Sequence, residues 1–208
     1  MLQLYMTELE KDILKELLNI ILTKAGDSFA KISKEEVLIS VPDLYMADKK
    51  SALKEIYRDY NVEVIVQSEI KGDLYAQTLI LLSEQQLELL EQVCMKGMVN
   101  KKMRESLLLE ISNIVTGTLV SYLADMLKIN IYGSVPTGPI YKKSVIEEEL
   151  LLDLDVTRSI LLTINTVFKT SKNQLDLPMV LIFDVPNLNK LLELIRDINK
   201  EGFRLFKQ

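Results

Sequence analysis

The chain has 208 residues, with 25 Lys and Arg against 30 Asp and Glu, a formal net charge of -5, one cysteine and no histidine. The lack of histidine excludes Ser-His-Asp and Cys-His nucleophiles, histidine-ligated metals and phosphohistidine relays, and a single cysteine excludes internal disulfides and cysteine-cluster metal sites. The acidic balance disfavours nucleic acid as a partner.

Nothing in the sequence predicts export or insertion into a membrane. Charge arrives at Glu8, before any apolar run with a cleavage site, and the longest apolar stretches fall short of the roughly 18 residues of a membrane span. Only seven glycines are present and none forms a phosphate-binding loop. We therefore predict a cytoplasmic protein of the α/β or α+β class.

The first half of the chain predicts a long helix, three strands and a short helix. Apolar residues at helical spacing cover residues 7 to about 32. The predicted elements that follow are a strand from Val37 to Val41 closed by Pro42, a strand from Asn61 to Ile70, its hairpin partner from Ala76 to Leu82, and a helix capped by Ser83.

The second half predicts the same order of elements. These are a helix from about Lys101 to Leu127, a strand from Ile129 to Val135, a strand pair from Ser159 to Lys169 and from Met179 to Asp184, and a terminal helix from Asn187 to Ile198. Strands joined as hairpins predict an antiparallel sheet with helices packed on it.

The two halves are copies of one unit. Residue i aligns with residue i+94 through both long helices, and Ser40-Val41-Pro42 aligns with Ser134-Val135-Pro136. No linker rich in Pro, Gly or Ser separates the copies. The prediction is one pseudo-symmetric α+β domain over residues 1–208, with repeats at about 7–97 and about 101–205.

The identities kept between the copies are mostly polar and lie on the long helices. Positions i, i+4 and i+7 of a helix lie within about 60° of one another. A polar stripe on one helix is usually its solvated face, but here it occurs twice, each time with a proline 23 residues after the Asn. The stripes are Asp12, Glu16 and Asn19 with Pro42, and Ser106, Glu110 and Asn113 with Pro136.

This pattern resembles that of the CheC/CheX/FliY family of chemotaxis phosphatases: Asp or Ser, three residues, Glu, two residues, Asn, then 22 residues to a proline. Both copies match it at every named position. Two copies in one chain resemble CheC in particular, since CheX-like members keep one. The resemblance extends from Leu9 to the terminal helix and implies a continuous antiparallel sheet with two long helices packed on it, related by a pseudo-two-fold axis.

The resemblance also implies an activity, dephosphorylation of the aspartyl phosphate on a CheY-like response regulator. The regulator itself would supply Mg²⁺ and a lysine, so the chain would need no cofactor or metal of its own. CheC relatives bind the deamidase CheD, which makes CheD a further candidate partner. The implied catalytic residues are Asn19 and Asn113, which would orient the water, and Glu16 and Glu110, which would pair with the lysine; Asp12, Ser106, Thr23 and Gly117 would contact the substrate, and Pro42 and Pro136 would be structural.

Two alternatives remain open at this point. The same scaffold could be a non-catalytic adaptor that binds a response regulator, CheD or a flagellar switch component. A metabolic enzyme on an α+β scaffold is the alternative from outside the family, although no glycine-rich loop, metal cluster or nucleophile in the sequence favours it.

The copies differ at the fourth residue after the Asn, and this difference predicts unequal sites. The family commonly has glycine there, as at Gly117, whereas the first copy has the β-branched Thr23, which occupies space that glycine leaves open. We expect Asn113→Ala to lower the phosphatase rate by about 10²-fold and Asn19→Ala by less. Equal losses, measured by decay of the phosphorylated regulator, would contradict the prediction.

Overall fold

The computed structural model describes residues 6–48, 51–52, 56, 61–95, 100–141, 159–170 and 172–200. Within these ranges eight strands form one antiparallel sheet, in the spatial order β1-β6-β8-β3-β2-β4, with β5 paired to β2 and β7 to β6. In chain order they are β1 (Leu38–Asp48), β2 (Val64–Gly72), β3 (Ala76–Leu82), β4 (Ile131–Gly133), β5 (Thr137–Tyr141), β6 (Ser159–Lys169), β7 (Gln174–Asp176) and β8 (Met179–Asp184).

Helices cover one face of this sheet. They are α1 (Glu8–Ser33), α2 (Glu84–Cys94), α3 (Lys101–Leu127) and α4 (Val185–Lys200). Strand residues alternate between the two faces, so that Val64 and Val66 join the core beneath the helices while Ile65 joins a smaller apolar cluster on the other face. The predicted α+β class, with a large antiparallel sheet and two long helices, is confirmed.

The two halves of the chain contribute equivalent strands to the sheet. β3 and β8 pair at its centre, β6 and β2 flank them, and β1 and the interrupted strand β4–β5 form the edges. Each edge strand pairs with the other half, because β1 pairs with β6 and β4 pairs with β2. Neither half therefore completes its part of the sheet alone.

The structure corrects the predicted role of Pro42. The strand expected to end there continues to Asp48, and its register against β6 shifts by one residue between Ser40 and Asp43. Proline has no N–H to donate to a strand ladder and is accepted at edge strands and bulges. Pro42 therefore lies in a bulge within β1 and does not terminate the strand.

The second edge is broken at the equivalent place. The predicted strand from Ile129 to Val135 is shortened to Ile131–Gly133, and pairing with β2 resumes in β5 after one extra residue. The interruption is Ser134-Val135-Pro136, the counterpart of Ser40-Val41-Pro42. Both motif prolines therefore mark a break in an edge strand beside a long helix.

Helix α3 is long and apolar enough, by length and composition alone, to cross a membrane, with a mean hydropathy of 1.5 over 18 residues. Half of that segment is buried inside the protein. Leu107, Ile111 and Val115 pack in the core shared with α1 and the sheet. This apolarity is therefore what a core helix requires, and it is weak evidence for a membrane span.

The two glycines within the long helices predict opposite effects of alanine. A Cβ at Gly26 would lie 2.7 Å from the carbonyl oxygen of Val37, whereas a Cβ at Gly117 would meet no atom within 4 Å. We expect Gly26→Ala to destabilise the fold by about 1–3 kcal/mol, because α1 must move away from β1. Gly117→Ala should stabilise it by up to about 1 kcal/mol through helix propensity. Chemical denaturation of both variants measures these changes in the free energy of unfolding. Equal changes in the two variants would contradict the expectation.

Candidate active site

The first candidate site lies on α1 beside the bulge in β1. The helix begins with a capping box, in which the Thr7 side chain accepts from the N–H of Glu10 and the Glu10 side chain accepts from that of Thr7. Farther along the helix, Asp12, Glu16 and Thr23 are exposed and Asn19 is half-buried. The predicted stripe therefore faces outward, with its carboxamide closest to the sheet.

Asn19 is hydrogen-bonded to the backbone of the bulge. Its Oδ1 accepts from the N–H of Val41 at 2.7 Å, and its Nδ2 donates to the carbonyl of the same residue at 3.3 Å. The same Nδ2 donates to the carbonyl of Lys15 at 3.0 Å. The side chain thus supplies Val41 with the two bonds that a neighbouring strand would otherwise provide, and its donor and acceptor are already occupied.

An ion pair adds a second tie between α1 and β1. Lys11 Nζ lies 3.1 Å from Oδ1 of Asp43, the first paired residue of β1 after the bulge. Partial burial raises the pKa of the Asp43 carboxyl, but hydrogen bonds from Lys11 and from the backbone of Leu44 outweigh it and leave the pKa below its ordinary value. Both partners are partly exposed, so this ion pair is weaker than the two hydrogen bonds of Asn19.

The second candidate site, on α3, lacks both ties. Ser106, Glu110, Asn113 and Gly117 are all exposed. The side chain of Asn113 makes no hydrogen bond to any residue that the structure describes. The positions equivalent to Lys11 and Asp43 are Glu105 and Thr137, which cannot form an ion pair.

The valine at the break in the edge strand is exposed in this half. Val135 is 84% exposed, whereas its counterpart Val41 is 1% exposed. Ser134 is bonded to the sheet, because its N–H donates to the carbonyl of Glu69 and its hydroxyl accepts from the N–H of Glu69. The same hydroxyl donates to the carbonyl of Val135 at 3.3 Å, so this carbonyl has a partner that does not come from the helix.

An open groove lies between α3 and β4 as a result. Its volume is about 360 Å³. Asn113 stands at one end, and the neighbouring lining residues have short side chains or none. These include Gly117, Ser121, Gly133 and Ser134. A backbone segment of a docking protein could approach Asn113 along this groove.

Thr23 narrows the equivalent surface of α1. Its hydroxyl donates to the carbonyl of Asn19 at 2.7 Å, a bond within the helix, and the side chain remains exposed. At Gly117 the corresponding space is empty. Thr23 therefore occupies volume beside Asn19 that is open beside Asn113.

No other catalytic chemistry is evident in the described part of the chain. Within it, no group of three or more Cys, Asp or Glu residues lies close enough to hold a metal ion. Burial raises the pKa of the Cys94 thiol to about 11, so it stays protonated near neutral pH and is a poor nucleophile.

Comparison with known proteins supports the resemblance. The CheC-like family model matches residues 103–137, a segment that contains the second motif copy from Ser106 to Pro136. The fold is similar to that of FliY from Thermotoga maritima, with a TM-score of 0.75 and 16% identity over 94% of this chain and 100% of that one. The chain therefore has the fold of that FliY structure, and the segment around its second motif copy is similar to the CheC-like family model.

Other solved structures share this fold. The FliM middle domain of Vibrio alginolyticus gives a TM-score of 0.64 at 11% identity, over 88% of this chain and 99% of that one. FliM in the FliM-SpeE complex of H. pylori gives 0.68 at 8% identity, over 93% and 98%. No curated protein sequence matches this chain.

Sequence reasoning did not find the ties that distinguish the two sites. The signal was present, because the aligned copies replace Lys11 with Glu105 and Asp43 with Thr137. The hydrogen bonds of Asn19 could not be predicted by comparing the copies, since both copies carry the same Asn and the same Ser-Val-Pro.

The two carboxamides should differ in what they contribute to stability. Asn19→Ala removes the bonds to Val41 and leaves a buried N–H without a partner, which should cost about 1–3 kcal/mol of unfolding free energy. Asn113→Ala should change it by less than about 0.5 kcal/mol, because the side chain is exposed. Urea unfolding followed by circular dichroism measures both, and a larger loss for Asn113→Ala would contradict the structure.

Proposed function

We propose that this protein hydrolyses the aspartyl phosphate of a CheY-like response regulator, and that its second site does so. The observation that carries the proposal is the contrast between the two carboxamides. The side chain of Asn113 is exposed, bonded to no described residue and next to an open groove, whereas that of Asn19 is held by the backbone of Val41. The family model also matches the segment around the second copy.

The chemistry requires little from the phosphatase itself. Water attacks the phosphorus, the bond from phosphorus to the aspartyl oxygen breaks, and the products are the aspartate carboxylate and dihydrogen phosphate. Because the transition state is loose, positioning of the water and compensation of charge on the phosphoryl oxygens dominate. The Mg²⁺ and lysine expected in the regulator supply the charge compensation.

Asn113 would position the water. A carboxamide has both a donor and an acceptor, so it can accept from the water and direct its lone pair at phosphorus without acting as a base. Glu110 lies on the same exposed stripe, almost one turn earlier, and its carboxylate would pair with the regulator's lysine and hold α3 in register.

The first site would contribute less to hydrolysis. For Asn19 to orient a water, it would have to give up its bonds to Val41 and expose a buried backbone N–H. Glu16 is exposed and could still pair with a lysine. We therefore expect α1 to serve as a docking surface at most.

A non-catalytic adaptor is the alternative. H. pylori FliM, which shares this fold, was solved in complexes with SpeE and with FliG, so the scaffold can present a surface to other proteins. In this alternative the chain binds a regulator or a switch component in the cytoplasm and leaves its phosphate intact.

The decay rate of a CheY-like regulator phosphorylated with acetyl phosphate tests the proposal. The wild-type chain should accelerate decay, and Glu110→Ala/Asn113→Ala should lower that acceleration by at least about 10²-fold. Gly117→Thr should lower it about ten- to a hundredfold by obstructing the approach, although it should fold normally because the space there is empty.

Matched first-site variants serve as controls. Glu16→Ala and Thr23→Gly change exposed side chains and should leave the rate within about threefold of wild type. Binding of the regulator without any acceleration of decay would favour the adaptor. Losses in the Glu16→Ala variant as large as those in the second-site variant would contradict the assignment to α3.

A further inference from the structure

Three hydroxyl groups form a buried cluster beneath α3. Ser68 and Thr78 are paired residues on the adjacent strands β2 and β3, and their hydroxyl oxygens are 2.5 Å apart. The Ser68 hydroxyl donates to Thr116 of α3 at 3.1 Å, and the Thr78 and Thr116 oxygens are 3.5 Å apart. All three residues are at most 2% exposed. The cluster thus attaches the middle of the helix to two strands.

The apolar pattern of α3 does not by itself define which way the helix is rotated. At 100° per residue, its buried residues cover roughly two thirds of the circumference, whereas a helix lying on a core usually has a narrower apolar stripe. A wide apolar arc specifies the rotation of a helix less sharply than a narrow stripe does. Hydrogen bonds are directional, so a buried and fully bonded cluster selects one rotation.

In the first repeat, different hydrogen bonds hold the long helix in place. The positions equivalent to Thr116 and Ser112 are Leu22 and Leu18, both fully buried. There α1 is held from the outside, by the bonds between Asn19 and Val41. In the second repeat the hydrogen bonds lie on the inner side of the helix, and Asn113 takes no part in them.

We propose that Thr116 is a positioning residue: through the hydroxyl cluster it sets the rotation of α3, and in doing so replaces the contact that Asn19 makes in the first repeat. Thr116 is three residues after Asn113, about 60° away around the helix, and lines the same groove as Asn113 and Gly117. The rotation that places its hydroxyl against the sheet therefore also fixes the direction in which those two exposed residues face the groove. The catalytic consequence rests on the function proposed above; the rotation itself does not.

Thiol reactivity tests the rotation directly. In a Cys94→Ser background, one cysteine is placed by Gly117→Cys on the outer side of α3, and in a second protein by Ser112→Cys on the buried inner side. Their reaction rates with a water-soluble aromatic disulfide should differ by at least about 100-fold. Adding Thr116→Val should reduce that ratio about tenfold or more, because the helix can then rotate, and Thr116→Ser should restore it.

Two further variants control for general loosening. Thr118→Val makes the same change two residues away, outside the cluster, and should leave the ratio unchanged. Ser68→Ala breaks the cluster from the sheet side and should reduce the ratio as Thr116→Val does. A ratio unaffected by Thr116→Val, or reduced equally by Thr118→Val, would overturn the proposal.

Regulator decay on the same samples separates this inference from the proposed function. We expect Thr116→Val to lower the acceleration about tenfold and Thr116→Ser to retain it. A reduced thiol ratio in a protein whose wild type does not accelerate decay would refute the phosphatase and leave the rotation assignment standing. Accelerated decay with an unchanged thiol ratio would refute the rotation assignment alone.

Discussion

The break in each edge strand is the constraint on which the rest of this molecule depends. A bulge at a proline removes residues from the strand ladder, and the backbone groups beside it must then bond to a side chain or to water. In the first repeat the buried Val41 is bonded by Asn19. In the second repeat Val135 is exposed, and its carbonyl accepts a hydrogen bond from the Ser134 hydroxyl. The state of each carboxamide follows from the burial of this one valine.

That difference places two copies of one motif in different surroundings. A carboxamide that completes a strand ladder stabilises the fold, and a carboxamide that bonds to nothing can bind a water. The ion pair between Lys11 and Asp43 reinforces the closed arrangement, and its absence in the second repeat accompanies the open groove. Duplication thus supplied one helix whose polar stripe is partly structural and one whose stripe is available for docking.

Because the Asn113 side chain does not anchor its helix, other residues must hold α3 in place. Asn113 cannot both anchor α3 and orient a water, so the anchor must come from elsewhere on the helix. The buried hydroxyls of Ser68, Thr78 and Thr116 are suited to this because they are bonded to one another and leave the Asn113 side chain exposed. The anchoring residue and the exposed carboxamide are in this way placed three residues apart on the same helix.

The sequence by itself determined the elements, the duplication and the exposed stripes. Helical spacing and strand alternation located α1, α3 and the hairpins, because these periods reflect local geometry. Repetition of Glu, Asn and Pro identified the family pattern. Only the tertiary structure decided that Pro42 lies within a strand and that the Asn19 side chain bonds to Val41. It also decided that the Asn113 side chain makes no equivalent bond to Val135. These facts depend on how the edge strand packs beside the helix, and the valine of the same Ser-Val-Pro motif is buried in one repeat and exposed in the other because its surroundings differ.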